Sequence, residues 1–175
     1  MNATPVVTFS LFSRVLHWTM ALLILAMLFL GVGMVASLSP YHRLVSLHEK
    51  IGVLILVLAA IRLINRLLRR SPPLPAQMPR GLQGIAHVSH YVLYFFMFAQ
   101  PLLGWAMLSA ARYPLPLNLP NIMPYNVELY ATLRHAHGFL GLLFFVTILM
   151  HLAAALMHAL IYRDGVFASM AGRSH

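Results

Sequence analysis

Four apolar stretches, each long enough to cross a bilayer, limit what this chain can become. A spanning helix needs about 20 mostly apolar residues. The stretches cover about residues 15–36, 44–68, 82–108 and 133–162. Backbone inside a bilayer must satisfy its own hydrogen bonds, which leaves helices and closed barrels. The lengths predict an all-α membrane protein, a four-helix transmembrane bundle. Composition agrees: 61% of the 175 residues are apolar and 9% are charged. A water-facing surface on a domain of this size needs far more charge. One transmembrane domain over residues 1–175 is the expected organisation.

Two spans carry irregularities. The second holds Arg62, Asn65 and Arg66 near its end, and the arginine heads are expected to reach the interface along their own stems. The third holds Pro101, expected to kink it. A basic, proline-rich linker from Arg69 to Pro75 joins these two spans. A longer loop with Pro114, Pro116, Pro120 and Pro124 joins the third to the fourth. It is too proline-rich for a helix and is expected to form an ordered cap over one end of the bundle. The first apolar run is too long, and lacks the small-residue cleavage site, for a removable signal.

The formal charge of +9 does not indicate nucleic acid, because the basic residues flank the apolar spans and form no soluble stripe. With four spans both termini share one side. That side carries Arg14, Arg62, Arg66, Arg69, Arg70, Arg80, Arg163 and Arg173; the other carries Arg43, Lys50, Arg112 and Arg134. The excess predicts cytoplasmic termini.

Cysteine is absent and histidine occurs ten times. Disulfides, iron–sulfur clusters, thiolate zinc sites and covalently attached c-type haem are therefore excluded. An intramembrane histidine is expensive, and several at matched heights point to a cofactor. His137 and His151 lie fourteen residues apart on the fourth span. That spacing is about four turns and roughly 21 Å, with both rings on one face. His48 on the second span matches the height of His137. His17 on the first lies near the opposite end, where His151 and His158 match it equally well, and spacing does not choose between them. Paired imidazoles split between two heights suit two b-type haems, whereas a zinc or copper site needs its histidines in one place.

Arg14, Arg62 and Arg134 are candidates to neutralise haem propionates, or equally to anchor helix ends. Gly31, Gly33, Gly52, Gly104, Gly138 and Gly141 would admit a macrocycle, or ordinary helix packing. His87 and His90 read as interfacial residues, with a lesser option of touching a quinone or propionate.

Residues from about Phe12 to Asp164 resemble the bacterial cytochrome b561 family of small four-helix di-haem proteins of the inner membrane. Ser13-Arg14 with His17-Trp18, then His48, then Ile61-Arg62-Leu63, carry the first half of the match. Gly84-Ile85-Ala86-His87 with His90, Met123-Pro124-Tyr125, His137, His151 and the alanine-rich run from Leu152 to His158 carry the second. The resemblance implies one non-covalent haem b between His48 and His137, and another between His17 and His151. It leaves His158 near the place where family members are thought to meet quinone. Some members look like superoxide oxidases, taking an electron from superoxide and reducing ubiquinone to quinol. Two alternatives use the same residues: a haem b anchor subunit serving a partner dehydrogenase or hydrogenase, and a haem-free histidine relay moving protons or metal ions.

Overall fold

A computed structural model describes residues 7–36, 41–69, 71–75 and 77–172. The turn at residues 37–40, and Arg70 and Arg173 of the charge count, lie outside the described residues. Four long helices, α1 (Leu11–Ala36), α2 (Tyr41–Leu68), α3 (Arg80–Ala111) and α4 (Val127–Met157), are each apolar and long enough to cross a membrane. A π-helical turn, His158–Tyr162, extends α4, and a short α5 (Val166–Ala171) follows. No strand occurs among the described residues. The first and last described segments meet on one face, where the Phe9 N–H donates to Ser169 O at 3.0 Å. This is the terminal face below; the opposite one is the loop face.

The helices begin earlier than hydropathy alone predicts, because capping sets a helix start where hydropathy only finds its apolar middle. α4 starts at Val127, where the Asn126 side chain accepts from the Leu129 N–H at 2.9 Å. This is an ordinary N-cap, and it satisfies a donor that the first turn would leave bare. α3 runs helically through Pro101 and ends with Arg112 in the left-handed region, its N–H returning to Leu108 O and Ser109 O.

The loop after α3 folds back as the cap that its prolines predict, with only a three-residue 3-10 turn, Pro116–Asn118. Three donors hold it. Trp105 Nε1 donates to Pro120 O at 2.9 Å, Ile122 N to Ser109 Oγ at 3.3 Å, and Asn126 N to Ala110 O at 3.0 Å. Ser109 is fully buried, so its hydroxyl is spent on this loop.

Sequential helices pack closely, α1 on α2, α2 on α3 and α3 on α4. The buried core joins Leu16, Met20, Ala59, Phe96, Met97 and Phe144. Phe96 and Phe144 stack at 5.3 Å. Most other large apolar side chains face outward, Val35 at 90% exposure and Phe29 at 77%. In water such a surface would aggregate; facing acyl chains it is the expected one.

Hydropathy gives no sign of α5. It is strapped across the terminal face by Trp18, whose Nε1 donates to Met170 O at 3.3 Å and whose ring meets Phe167 at 6.4 Å. Gly172 ends α5 at φ 80°, against the Arg14 guanidinium, where a Cβ would overlap that group.

Asn126→Ala is expected to cost about 1 kcal/mol, the usual loss for a capping side chain. A lower midpoint of thermal unfolding, followed by circular dichroism in detergent, would register it; an unchanged midpoint would contradict the cap's role.

Candidate functional site

Two histidine pairs face each other across the bundle, one toward each face. Toward the loop face, the His48 and His137 rings stand 6.1 Å apart, centroid to centroid, at 71°. Toward the terminal face, His17 and His151 stand 6.4 Å apart at 73°. α4 supplies one member of each pair because residues fourteen apart return to nearly the same helix face. The partners come from α2 and α1, whose backbones pack on α4 less closely than neighbouring helices pack on each other. The imidazoles bridge gaps that the backbones leave.

Those gaps suit a metal held between two rings. A metal–imidazole bond is about 2 Å long, which puts two axial ring centroids roughly 6 Å apart. The Nδ1 atoms of His48 and His137 are buried and, among the described residues, have no hydrogen-bond partner. A buried polar atom left unpaired is costly unless something else occupies it. Gly104 on α3 lies beside this pair: a Cβ there would come within 3.5 Å of His137 Cε1. Gln100 Nε2 donates to His137 O at 3.1 Å and fixes that turn of α4. Among the described residues no three potential ligands converge on a single metal ion.

The pair toward the terminal face has more company. Arg62 Nη2 donates to His17 Nδ1 at 3.1 Å. A guanidinium has no acceptor, so the His17 proton resides on Nε2 in this arrangement. Ligation through Nε2 requires the other tautomer and the release of Arg62, which is then available to an anionic group such as a propionate. Arg62 therefore does not reach for the interface as expected. It turns inward, onto the ring nitrogen of His17. Arg66 also turns back, its guanidinium 5.6 Å from the Tyr94 ring centroid.

His90 corrects a second expectation. Its ring is 6.0 Å from that of His151, inside the bundle and not at the interface. The i, i+3 spacing from His87 hides this, since the two rings diverge by about 60° around the helix. His87 does fit the interfacial reading: it is exposed and donates from Nδ1 to Gln83 O at 2.7 Å.

The remaining candidates separate by face. Arg14 is at the terminal face, its Nε buried without a partner among the described residues. Arg134 is at the loop face and donates from Nη1 to the Tyr130 hydroxyl at 3.0 Å. His158 lies two turns beyond His151, apart from the His17 pair, with its Nδ1 2.7 Å from Asp164 Oδ2. Sequence spacing does not point to Asp164, because it lies past the helix end, where no periodicity applies.

Opposed imidazole pairs in an apolar four-helix bundle define a membrane haem protein of the electron-transfer class. Residues 8–173 match the family described as prokaryotic cytochrome b561. A cytochrome b561 homolog 2 from Escherichia coli (strain K12) is 30% identical over 181 residues, covering 95% of this chain and 92% of that protein. A probable superoxide oxidase CybB from Yersinia pestis is 28% identical over 161 residues, covering 89% and 90% respectively. The chain belongs to the prokaryotic cytochrome b561 family: it is a multi-pass protein of the bacterial inner membrane that binds b-type haem and transfers electrons.

Gly104 offers a test of the pair toward the loop face. Gly104→Ala makes only ordinary contact with His137 and is expected to retain haem, whereas Gly104→Leu would displace that ring. The b-type haem per chain, read by pyridine haemochrome, should fall in the leucine variant alone.

Proposed function

We propose that the chain holds two b-type haems and carries electrons from superoxide to ubiquinone, acting as a superoxide:ubiquinone oxidoreductase. His48 and His137 would be axial ligands of one haem, and His17 and His151 of the other. The observation that carries this reading is the repeat of one geometry at two heights, with ring separations of 6.1 and 6.4 Å. Haem bound there would supply one-electron transfer through a closed, six-coordinate iron. The excess of arginine on the terminal face supports cytoplasmic termini, and with that orientation the His48–His137 pair would lie toward the periplasm.

The name of the Yersinia relative supports superoxide as donor. So does the charge of the loop face, where Arg43, Lys50, Arg112 and Arg134 outnumber Glu49 and Glu128 and would draw in a small anion. Arg62 and Arg14 would meet haem propionates at the terminal face, and Arg134 at the loop face. His158 would act at the quinone, presenting a ring nitrogen to a carbonyl and passing a proton as the quinone is reduced.

Haemochrome analysis is expected to give two b-type haems per polypeptide; a colourless folded protein would overturn the reading. His48→Ala and His137→Ala should each remove the same haem and largely spare the other, and His17→Ala and His151→Ala should form the second matched set. Loss of the second haem in His158→Ala but not in His151→Ala would reassign that ligand.

Stopped-flow spectroscopy tests the reaction. Haem reduction by superoxide should slow as salt rises, since the field of the loop face is screened over about 8 Å at physiological ionic strength. Reduction no faster than that of free haem in detergent would remove superoxide as donor and favour a haem subunit fed by a partner dehydrogenase or hydrogenase.

A further inference from the structure

α4 ends in a wide turn capped by a left-handed residue. At His158 the backbone opens into a π turn, in which the Arg163 N–H returns five residues to His158 O at 2.9 Å. Arg163 then takes a left-handed conformation at φ 49°, and Gly165 another at φ 83°. A non-glycine residue in that region is strained by about 1 kcal/mol or more. The left-handed Arg163 turns the chain so that Asp164 meets the ring it has just passed, and the left-handed Gly165 leads it on into α5.

Both carboxylate oxygens of Asp164 are committed. Oδ2 takes His158 Nδ1 at 2.7 Å, and Oδ1 accepts from the Val166 N–H at 3.2 Å. The sequence has only three acidic residues; Glu49 and Glu128 belong to the loop face, which leaves Asp164 alone at the terminal face. A face crowded with arginine offers this carboxylate many cationic partners. It engages an imidazole instead.

We propose that Asp164 is a positioning residue for His158, holding the imidazole proton on Nδ1 and turning Nε2 toward the quinone as the atom that delivers protons. The inference rests on the quinone role of His158 given above. A carboxylate only accepts, so Nδ1 must carry the hydrogen of this bond. Nε2 is then the nitrogen that takes a proton from the aqueous side and gives it up. In the protonated ring Nδ1 keeps its bond to Asp164 while Nε2–H faces the carbonyl oxygen. The same division of labour lets a buried carboxylate orient a catalytic histidine without itself being protonated.

The reaction balances with these parts. Two superoxide ions each lose one electron and leave as dioxygen. One ubiquinone gains those two electrons and two protons and leaves as ubiquinol. Each proton departs from His158 Nε2 as an N–H bond breaks and a quinol O–H bond forms. The neutral ring, its Nδ1–H still on Asp164, takes its next proton from water.

Two measurements on the haem-loaded, full-length protein test this. In ¹⁵N NMR of histidine-labelled protein, with His158→Ala as the assignment control, neutral His158 should be the Nδ1–H tautomer. In Asp164→Asn it should shift largely to Nε2–H, the form that free imidazole side chains prefer. With superoxide as donor and ubiquinone-1 as acceptor, Asp164→Asn should lower kcat about tenfold, less than the roughly hundredfold or more lost with a general acid itself. Its KM for ubiquinone-1 should change less than twofold, its haem content should be retained, and Asp164→Glu should recover most of kcat. An Nδ1–H tautomer that persists in Asp164→Asn, or wild-type kcat in that variant while His158→Ala is slow, overturns this inference alone. Equal loss in Asp164→Asn and Asp164→Glu with a raised KM shows a structural role and overturns it as well. Wild-type protein that never reduces ubiquinone overturns both this inference and the quinone reading beneath it, whatever the tautomer.

Discussion

Everything in this bundle depends on putting imidazoles where water cannot reach them. A polar ring within the apolar width of a membrane must find a partner, and lipid offers none. The chain meets that demand by turning its histidines inward from three helices onto one face of α4. The backbones of α1 and α2 stand off from α4 at those heights, and side chains, not main chain, close the space. Between the two pairs lies the Phe96–Phe144 stack. Phe144 is seven residues from His137 and seven from His151, so it stands about 10 Å along the axis from each. The fourteen residues of α4 set the spacing of the two sites, and apolar side chains fill the layer between them.

Helical period explains why so much of this is legible in the sequence. Residues fourteen apart on one helix share a face, so the period alone orients His137 and His151 toward the same side of the bundle. His48 follows from height, but height leaves His17 between His151 and His158, and only the family resemblance points to His151. The four spans are equally legible, because a bilayer fixes the length of an apolar run within narrow limits. The ends are less so: α4 begins six residues before its apolar run, since a capping asparagine and not hydropathy determines where it starts.

What the sequence hides is what the period does not encode. The inward turn of Arg62 to His17 depends on the distance between two helices, and no spacing within one chain segment reports it. Grouping His90 with His87 treats both as facing one way, although about 60° between them is enough to send one to the surface and one into the bundle. Asp164 returns to His158 through the left-handed Arg163 after the helix has ended, and an arginine gives no compositional sign of such a turn. Gly165 does give one, and an Asp-Gly step after a helix is the signal that marks it.

The two faces differ in a way that bears on their chemistry. At the loop face the His48 and His137 Nδ1 atoms are without hydrogen-bond partners among the described residues, and the surrounding helix turns contribute Gly104 and the Gln100 bond to backbone. At the terminal face His17 is bonded to Arg62, His90 approaches His151, Asn65 Nδ2 donates to Ser13 Oγ at 2.8 Å, and His158 is tied to Asp164. Moving a bare electron asks little of the protein beyond a low-dielectric path and fixed ligands. Converting a quinone to a quinol also moves protons, and protons travel only between hydrogen-bonding groups held within reach of each other. The two pairs differ in their surroundings: the His17–His151 pair has hydrogen-bonding and imidazole neighbours inside the bundle, whereas the Nδ1 atoms of His48 and His137 have none among the described residues.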